Sequence, residues 1–188
     1  MRALLAAVLY GLLPATIVAA DVLHDLAEKQ SFAGDFEQRV LSASGDVIET
    51  ATGAFRFMRP DYFWWQINTP ERQLLIATGD TLTQIDWDLE VVVERPLAGE
   101  TRSALHWLLA PRSELESAFN IELSEGAVSL TPLGEGAGFL NIDLSRTGDH
   151  QWTLSITDLG YQLLEFSMVE DPAIILDASG FAVPELPF

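Results

Sequence analysis

The sequence contains no cysteine. That excludes disulfides, thiolate metal sites and a cysteine nucleophile, and it leaves core burial as the source of stability. It also excludes the lipidated cysteine that anchors many exported bacterial proteins. Basic residues are scarce: 10 Lys and Arg stand against 28 Asp and Glu, a net charge of −18. With no basic stripe to displace phosphate counterions, nucleic acid is a poor partner. Stable adsorption to an anionic membrane face is disfavoured for the same reason. The acidity serves solubility, or it steers the protein toward basic docking surfaces while keeping it off the membrane. No internal repeat and no linker divides the chain, and its 188 residues suit one domain with a full core.

Catalytic constellations are missing too. His24, His106 and His150 sit in three different elements without metal-ligand spacing. There is no Gly-x-Ser-x-Gly elbow, no P-loop and no dinucleotide glycine pattern. Asp86, Asp88 and Glu90 alternate like the start of a calcium loop but lack its glycine, and acids on a solvated strand explain them better. The expectation is a protein that is not an enzyme and holds no metal or cofactor.

What is present begins with an export signal. Met1 and Arg2 are followed by an apolar run from Ala3 to Ile17, then by small residues, Val18-Ala19-Ala20. That layout predicts a secretory signal peptide over residues 1–20, cleaved to leave a mature chain from Asp21. The run is short for a membrane span, and Pro14 interrupts it. Without Arg2 the charge becomes −19, from 9 basic and 28 acidic residues.

Residues 21–188 are expected to form a single domain. Asp21 can cap a short helix ending near Gln30, with Val22, Leu23 and Leu26 as its apolar stripe. Period-two alternation then takes over. Phe32, Gly34, Phe36, Gln38 and Val40 share one face, and Ala51, Gly53, Phe55 and Phe57 share one face of the next strand. Further strands are expected at Tyr62–Asn68, Leu74–Thr78 and Thr81–Asp86, and a sixth around Val91–Val93. The period changes over Thr101–Leu109, where Leu105, Leu108 and Leu109 are helically spaced around Trp107. Pro111 stops that segment, and Ser113 with Glu116 reads as a capping box for a second short helix. Strands resume through Asn120–Ser124, Val128–Pro132, Phe139–Leu144, Trp152–Thr157 and Leu163–Val169, with Phe181 in a last short strand. The fold class is therefore mainly β with short helices: about eleven antiparallel strands in meander order, curled into a barrel or half barrel.

Four segments, in order, resemble the bacterial outer-membrane lipoprotein carrier family, LolA. "SFAGDFEQRV" (31–40) resembles the strand after that family's leading helix. "GAFRFMRPDYFWWQINTP" (53–70) resembles its most recognisable stretch: a glycine-initiated strand, an Arg-Pro turn, an aromatic strand and a Pro turn. "LLIATGDTLTQID" (74–86) resembles the hairpin after it, and "LLAP" (108–111) falls in its helical insert. This chain is more acidic than the family norm, and Phe63-Trp64-Trp65 is heavier in aromatics.

The resemblance implies an incomplete, unclosed antiparallel barrel with an α-helical lid over an apolar concave cavity. It implies that Arg59 latches the lid through hydrogen bonds to lid backbone, and that Phe63 lies at the cavity mouth. It makes Phe36, Phe55, Phe57, Trp65, Leu105 and Trp107 candidates for the lipid-binding surface. From periodicity alone Phe36, Phe55, Phe57, Phe63, Trp65 and Leu105 read more readily as ordinary core, and Arg59 as a solvated turn residue. Trp107 reads as either a lid contact or an interface anchor. The implied role is a monomeric periplasmic chaperone that takes acylated lipoproteins from an inner-membrane ABC-type release complex to LolB, an outer-membrane receptor. The alternatives are a carrier of another lipid on the same fold, or a lipid-sensing module.

Overall fold

A computed structural model describes residues 22–96, 107 and 110–186. The expected signal segment, Leu105 and all of the Thr101–Leu109 segment except Trp107 lie outside the described residues. The helix α1 spans Val22–Glu28 and buries Val22, Leu23 and Leu26, the stripe expected from spacing. Six strands follow: β1 (Ser31–Leu41), β2 (Val47–Met58), β3 (Tyr62–Thr69), β4 (Gln73–Thr78), β5 (Thr81–Asp86) and β6 (Val91–Pro96). After α2 (Arg112–Ala118) come β7 (Phe119–Ser124), β8 (Ala127–Pro132), β9 (Phe139–Gly148), β10 (Gln151–Asp158) and β11 (Leu163–Glu170). A 3-10 turn, Ala178–Phe181, lies near the end.

All eleven strands form one antiparallel sheet, in the order β6-β5-β4-β3-β2-β1-β11-β10-β9-β8-β7. It is two meanders joined at the centre, where Phe36 faces Met168 and Gln38 faces Phe166 across β1 and β11. Among the described residues β6 and β7 are the free edges, so the sheet is not closed. Twisted open sheets of this size curl, and the face that carries α1 and α2 is the concave one.

Alternation sorts the side chains between two apolar clusters. The larger fills the concave face and takes Phe36, Phe55, Phe57, Phe63 and Trp65 from β1–β3. Val128, Leu130, Ile142, Leu144, Leu154 and Phe166 join it from the other half. The smaller cluster lies on the opposite face, where Trp64, Leu74, Ile76 and Ile85 surround Phe181. Strands β3–β5 are thus apolar on both faces, and Ala54 and Met58 of β2 pack against the rim of the smaller cluster.

Three local expectations are corrected. Ser113 and Glu116 form no capping box: the helix is capped by Pro111 and has no side-chain cap hydrogen bond. Proline's φ of −60° starts α2 before Ser113 can act as cap. Glu116 instead accepts from Arg112 Nε at 2.9 Å. Phe181 is in no strand. It belongs to the 3-10 turn, where Asp177 accepts from the Ser179 amide at 2.9 Å. Those bonds to Ser179 hold the Asp177 carboxyl below its ordinary range. Asp86 is not a solvated strand acid but a buried turn former, accepting from the amides of Asp88 at 3.0 Å and Leu89 at 2.9 Å.

The chain after β11 covers the convex face. Arg56 stacks over Trp64 with its guanidinium carbon 4.3 Å from the ring centroid, and donates to the Gly180 carbonyl at 2.8 Å. Phe181 is 1% exposed, its ring 5.2 Å from Tyr62. Replacing it with Ala removes the anchor of this cover, so Phe181→Ala should lower stability by about 3–5 kcal/mol in urea unfolding. An unchanged midpoint would mean that the tail does not seal the sheet. Gly53 gives a second test. A Cβ there would collide with the Phe36 ring and the Gln66 carbonyl. Gly53→Ala should therefore cost about 1–3 kcal/mol although alanine is the better strand former, and a neutral result would show that Phe36 can move aside.

Candidate functional site

The predicted site residues converge. Phe36 stacks on Trp65 at 4.0 Å between ring centroids with 22° between planes. Phe55 lies 5.5 Å from Phe57, and Phe57 lies 5.2 Å from Phe63. The Phe63 and Trp65 rings are parallel within 3° at 6.3 Å. These five side chains are between 0% and 6% exposed, so Phe63 is as buried as the rest. Trp107 is half-buried, packs against the same cluster and meets Phe119 edge-on at 4.8 Å. Phe119, its ring partner, directly follows α2.

Sequence reasoning missed other members of this surface. Phe32 stacks on Phe57 at 4.6 Å, and Phe166 meets Trp65 edge-on at 5.2 Å. Phe119, Phe139 and Trp152 complete the apolar lining. The signal was available in the alternation of Trp152, Leu154 and Ile156, and of Phe166 and Met168, which places both rows inward. What strand spacing does not reveal is that β11 returns to pair with β1 and brings Phe166 against Trp65.

Arg59 sits in the β2–β3 turn, joined to Pro60 by a cis peptide bond, and its contacts reach the end of α1. Its Nε donates to the Lys29 carbonyl at 3.1 Å and its Nη2 to the Leu26 carbonyl at 3.2 Å. Its backbone amide donates to the Gln30 carbonyl at 2.9 Å. The last carbonyls of a helix have no partner within it and carry the negative end of its dipole. A guanidinium satisfies both needs at once. Burial lowers the Arg59 pKa from its ordinary value, and arginine keeps its charge at neutral pH regardless.

Two ion pairs hold the same helix from the other half of the sheet. Lys29 Nζ lies 2.7 and 2.8 Å from the two carboxylate oxygens of Glu170, whose side chain is 8% exposed. Arg146 on β9 pairs with Asp25 at 3.0 Å. The helix is therefore fastened to the sheet by polar contacts at both halves, while its apolar stripe faces the aromatic surface. Outside this core a surface depression of about 410 Å³ lies between α2 and β7, lined by Arg112, Glu116, Phe119, Asn120, Ile121, Leu123 and Leu133. None of the predicted residues lines it.

The arrangement is a broad aromatic surface under a small, polar-fastened helix. Among the described residues there is no cluster of metal-ligating side chains. No helix among the described residues is long and apolar enough to cross a membrane.

Comparison with known proteins agrees with this geometry. The family model for "Outer membrane lipoprotein carrier protein LolA" matches residues 27–171. Outer-membrane lipoprotein carrier proteins of Cupriavidus pinatubonensis and Cupriavidus necator are each 32% identical to it. The first match covers 83% of this chain and 79% of the relative, the second 92% and 87%. The carrier of Vibrio cholerae is 29% identical over 95% of this chain and 93% of its own. A solved domain from Vibrio parahaemolyticus, assigned to outer membrane lipoprotein sorting, superposes with a TM-score of 0.53 at 11% identity. That match covers 85% of this chain and 92% of the other, and it shows a shared fold. The unclosed eleven-stranded sheet, its short covering helices and the matched sequence together place the chain in the LolA family of outer-membrane lipoprotein carriers.

Proposed function

We propose that the protein is a periplasmic carrier. It takes acylated lipoproteins from an inner-membrane ABC-type release complex and delivers them to the outer-membrane receptor LolB, acting as a monomer and without catalysis or cofactor. The observation that carries this reading is the polar fastening of α1 over the aromatic surface of Phe36, Phe55, Phe57, Phe63 and Trp65. In it Arg59 is the latch of the lid, and Trp107 contributes from the segment that leads into α2.

Energetics favour such a device. Each CH₂ withdrawn from water is worth ~0.8 kcal/mol, so a sixteen-carbon chain is worth on the order of 12 kcal/mol in a bilayer. Three such chains together exceed the useful ceiling of non-covalent binding, roughly 18–21 kcal/mol. A carrier loaded by ATP-driven release has no need to outbind the membrane. It has to hold its cargo moderately and then yield it. A lid that is stable when shut over an empty interior does this, because cargo entry must break the bonds from Arg59 to the Leu26 and Lys29 carbonyls. The shut lid also keeps the aromatic surface from exposing a large apolar patch.

The primary test is release of lipoproteins from spheroplasts by the mature protein, residues 21–188. Lipoproteins appearing in the supernatant, bound one to one, are the expected result. No release, where a known carrier succeeds, would overturn the cargo assignment and point to another lipid, identified by extraction from the purified protein. Arg59→Leu tests the latch. Hydrogen bonds from a charged group contribute about 1.5–3 kcal/mol each. Losing them favours the loaded state, so the variant should still bind cargo but transfer it at least about tenfold more slowly. Wild-type transfer kinetics in that variant would remove Arg59 from the mechanism.

A further inference from the structure

Among the described residues one buried side-chain polar atom has no hydrogen-bond partner, and it lies within the concave cluster. Trp152 is 5% exposed, within the cluster formed by Leu144, Leu154 and Met168. Its Nε1 is buried and has no hydrogen-bond partner. Buried polar groups are almost always paired, because a donor removed from water without an acceptor destabilises the fold. A phenylalanine would fill most of this space without that penalty. Among the described residues, this orphan donor is the buried side-chain polar atom left open to a ligand's acceptor.

Its place on the sheet suits one ligand chemistry. Trp152 faces Met168 across β10 and β11, and Met168 faces Phe36 across β11 and β1. Phe36 stacks on Trp65 of β3. An apolar row therefore runs across strands from the indole to the aromatic surface, about 19 Å over four strand spacings. At the indole end Arg146, whose guanidinium carbon is 5.8 Å from the Trp152 ring centroid, also holds Asp25 of α1. The donor lies where the lid is fastened, and hydrocarbon-compatible surface extends away from it.

We propose that Trp152 Nε1 is a polar anchor for the carbonyl oxygen at the head of a bound acyl chain, fixing the depth at which the chain lies along this row. The proposal rests on the lipid-carrying reading above. Ester-linked and amide-linked chains share the carbonyl, and either one satisfies the donor. An ether-linked chain of equal length offers a much weaker acceptor at a displaced position, and the anchor would discriminate against it.

The test compares binding of 1,2-dipalmitoylglycerol with that of its diether analogue, 1,2-dihexadecylglycerol, to the mature protein and to Trp152→Phe. Wild type should prefer the diester by roughly three- to tenfold, the range of one net hydrogen bond. The variant should lose that preference, its diester and diether affinities becoming equal. The Trp152 indole N–H resonance, assigned by its disappearance in the variant, should move downfield with the diester only. A third probe, a lipopeptide with two ether-linked chains and one N-linked palmitoyl chain, separates the sources. A loss on it assigns the anchor to amide-linked chains, and a loss on the diester alone assigns it to ester-linked ones. A purely structural role for Trp152 would weaken all three probes alike. That outcome, or an ester preference that survives in Trp152→Phe, overturns the anchor. If wild type binds none of the three, the lipid-carrying reading fails and the anchor with it.

Discussion

Strands β3 to β5 are apolar on both faces, and that single condition organises the molecule. Phe63 and Trp65 point one way, and Trp64, Ile76 and Ile85 point the other. An open sheet of this kind cannot present one face to water, as antiparallel sheets commonly do. Two covers of different character meet the requirement. On the convex side the chain after β11 lays down Phe181, with Arg56 gripping the Gly180 carbonyl from beneath. On the concave side the described cover is α1 and α2, each of seven residues and too short to hold its shape without the surface it lies on.

The way α1 is attached separates it from the tail. Its fastenings are Arg59 to two carbonyls, Lys29 to Glu170, and Asp25 to Arg146. Charged groups that come apart can be rehydrated, whereas a buried ring such as Phe181 has no such compensation. The helix also buries Val22, Leu23 and Leu26, so both covers combine apolar burial with polar contacts. In the carrier reading proposed above, the concave cover is the part that moves, over the row of Phe36, Phe55, Phe57 and Trp65 held on central strands.

Much of this was legible from residue order. Period-two alternation located all eleven strands within a few residues, and the helical spacing of Val22, Leu23 and Leu26 located α1. The stretch from Gly53 to Pro70 carried the family resemblance and, with it, Arg59. What escaped notice depends on contacts distant in sequence. Nothing local to Leu163–Glu170 says that it pairs with Ser31–Leu41, so Phe166 was not placed beside Trp65. Phe181 follows residues without alternation, and only the tertiary fold reveals that it seals the second face. Ser113 and Glu116 matched a capping pattern, but Pro111 set the start of the helix first. Asp86 looked like one of several solvated acids because its turn role depends on the amides of Asp88 and Leu89 folding back on it.

The central seam has a consequence for how the chain acquires its shape. β1 near one end of the sequence is hydrogen-bonded to β11 near the other, with Gly34 opposite Glu170 and Leu41 opposite Leu163. Each meander can assemble locally, but the halves unite only when some 130 intervening residues have all become available. A nascent chain that emerges from its N-terminus thus holds β1 with one edge unpaired until β11, the last of the described strands, arrives. A molecule truncated before β11 lacks the seam, the Glu170 that holds Lys29 and the tail that covers Trp64. Quality control is built into the strand order, because a partial copy cannot imitate the finished carrier.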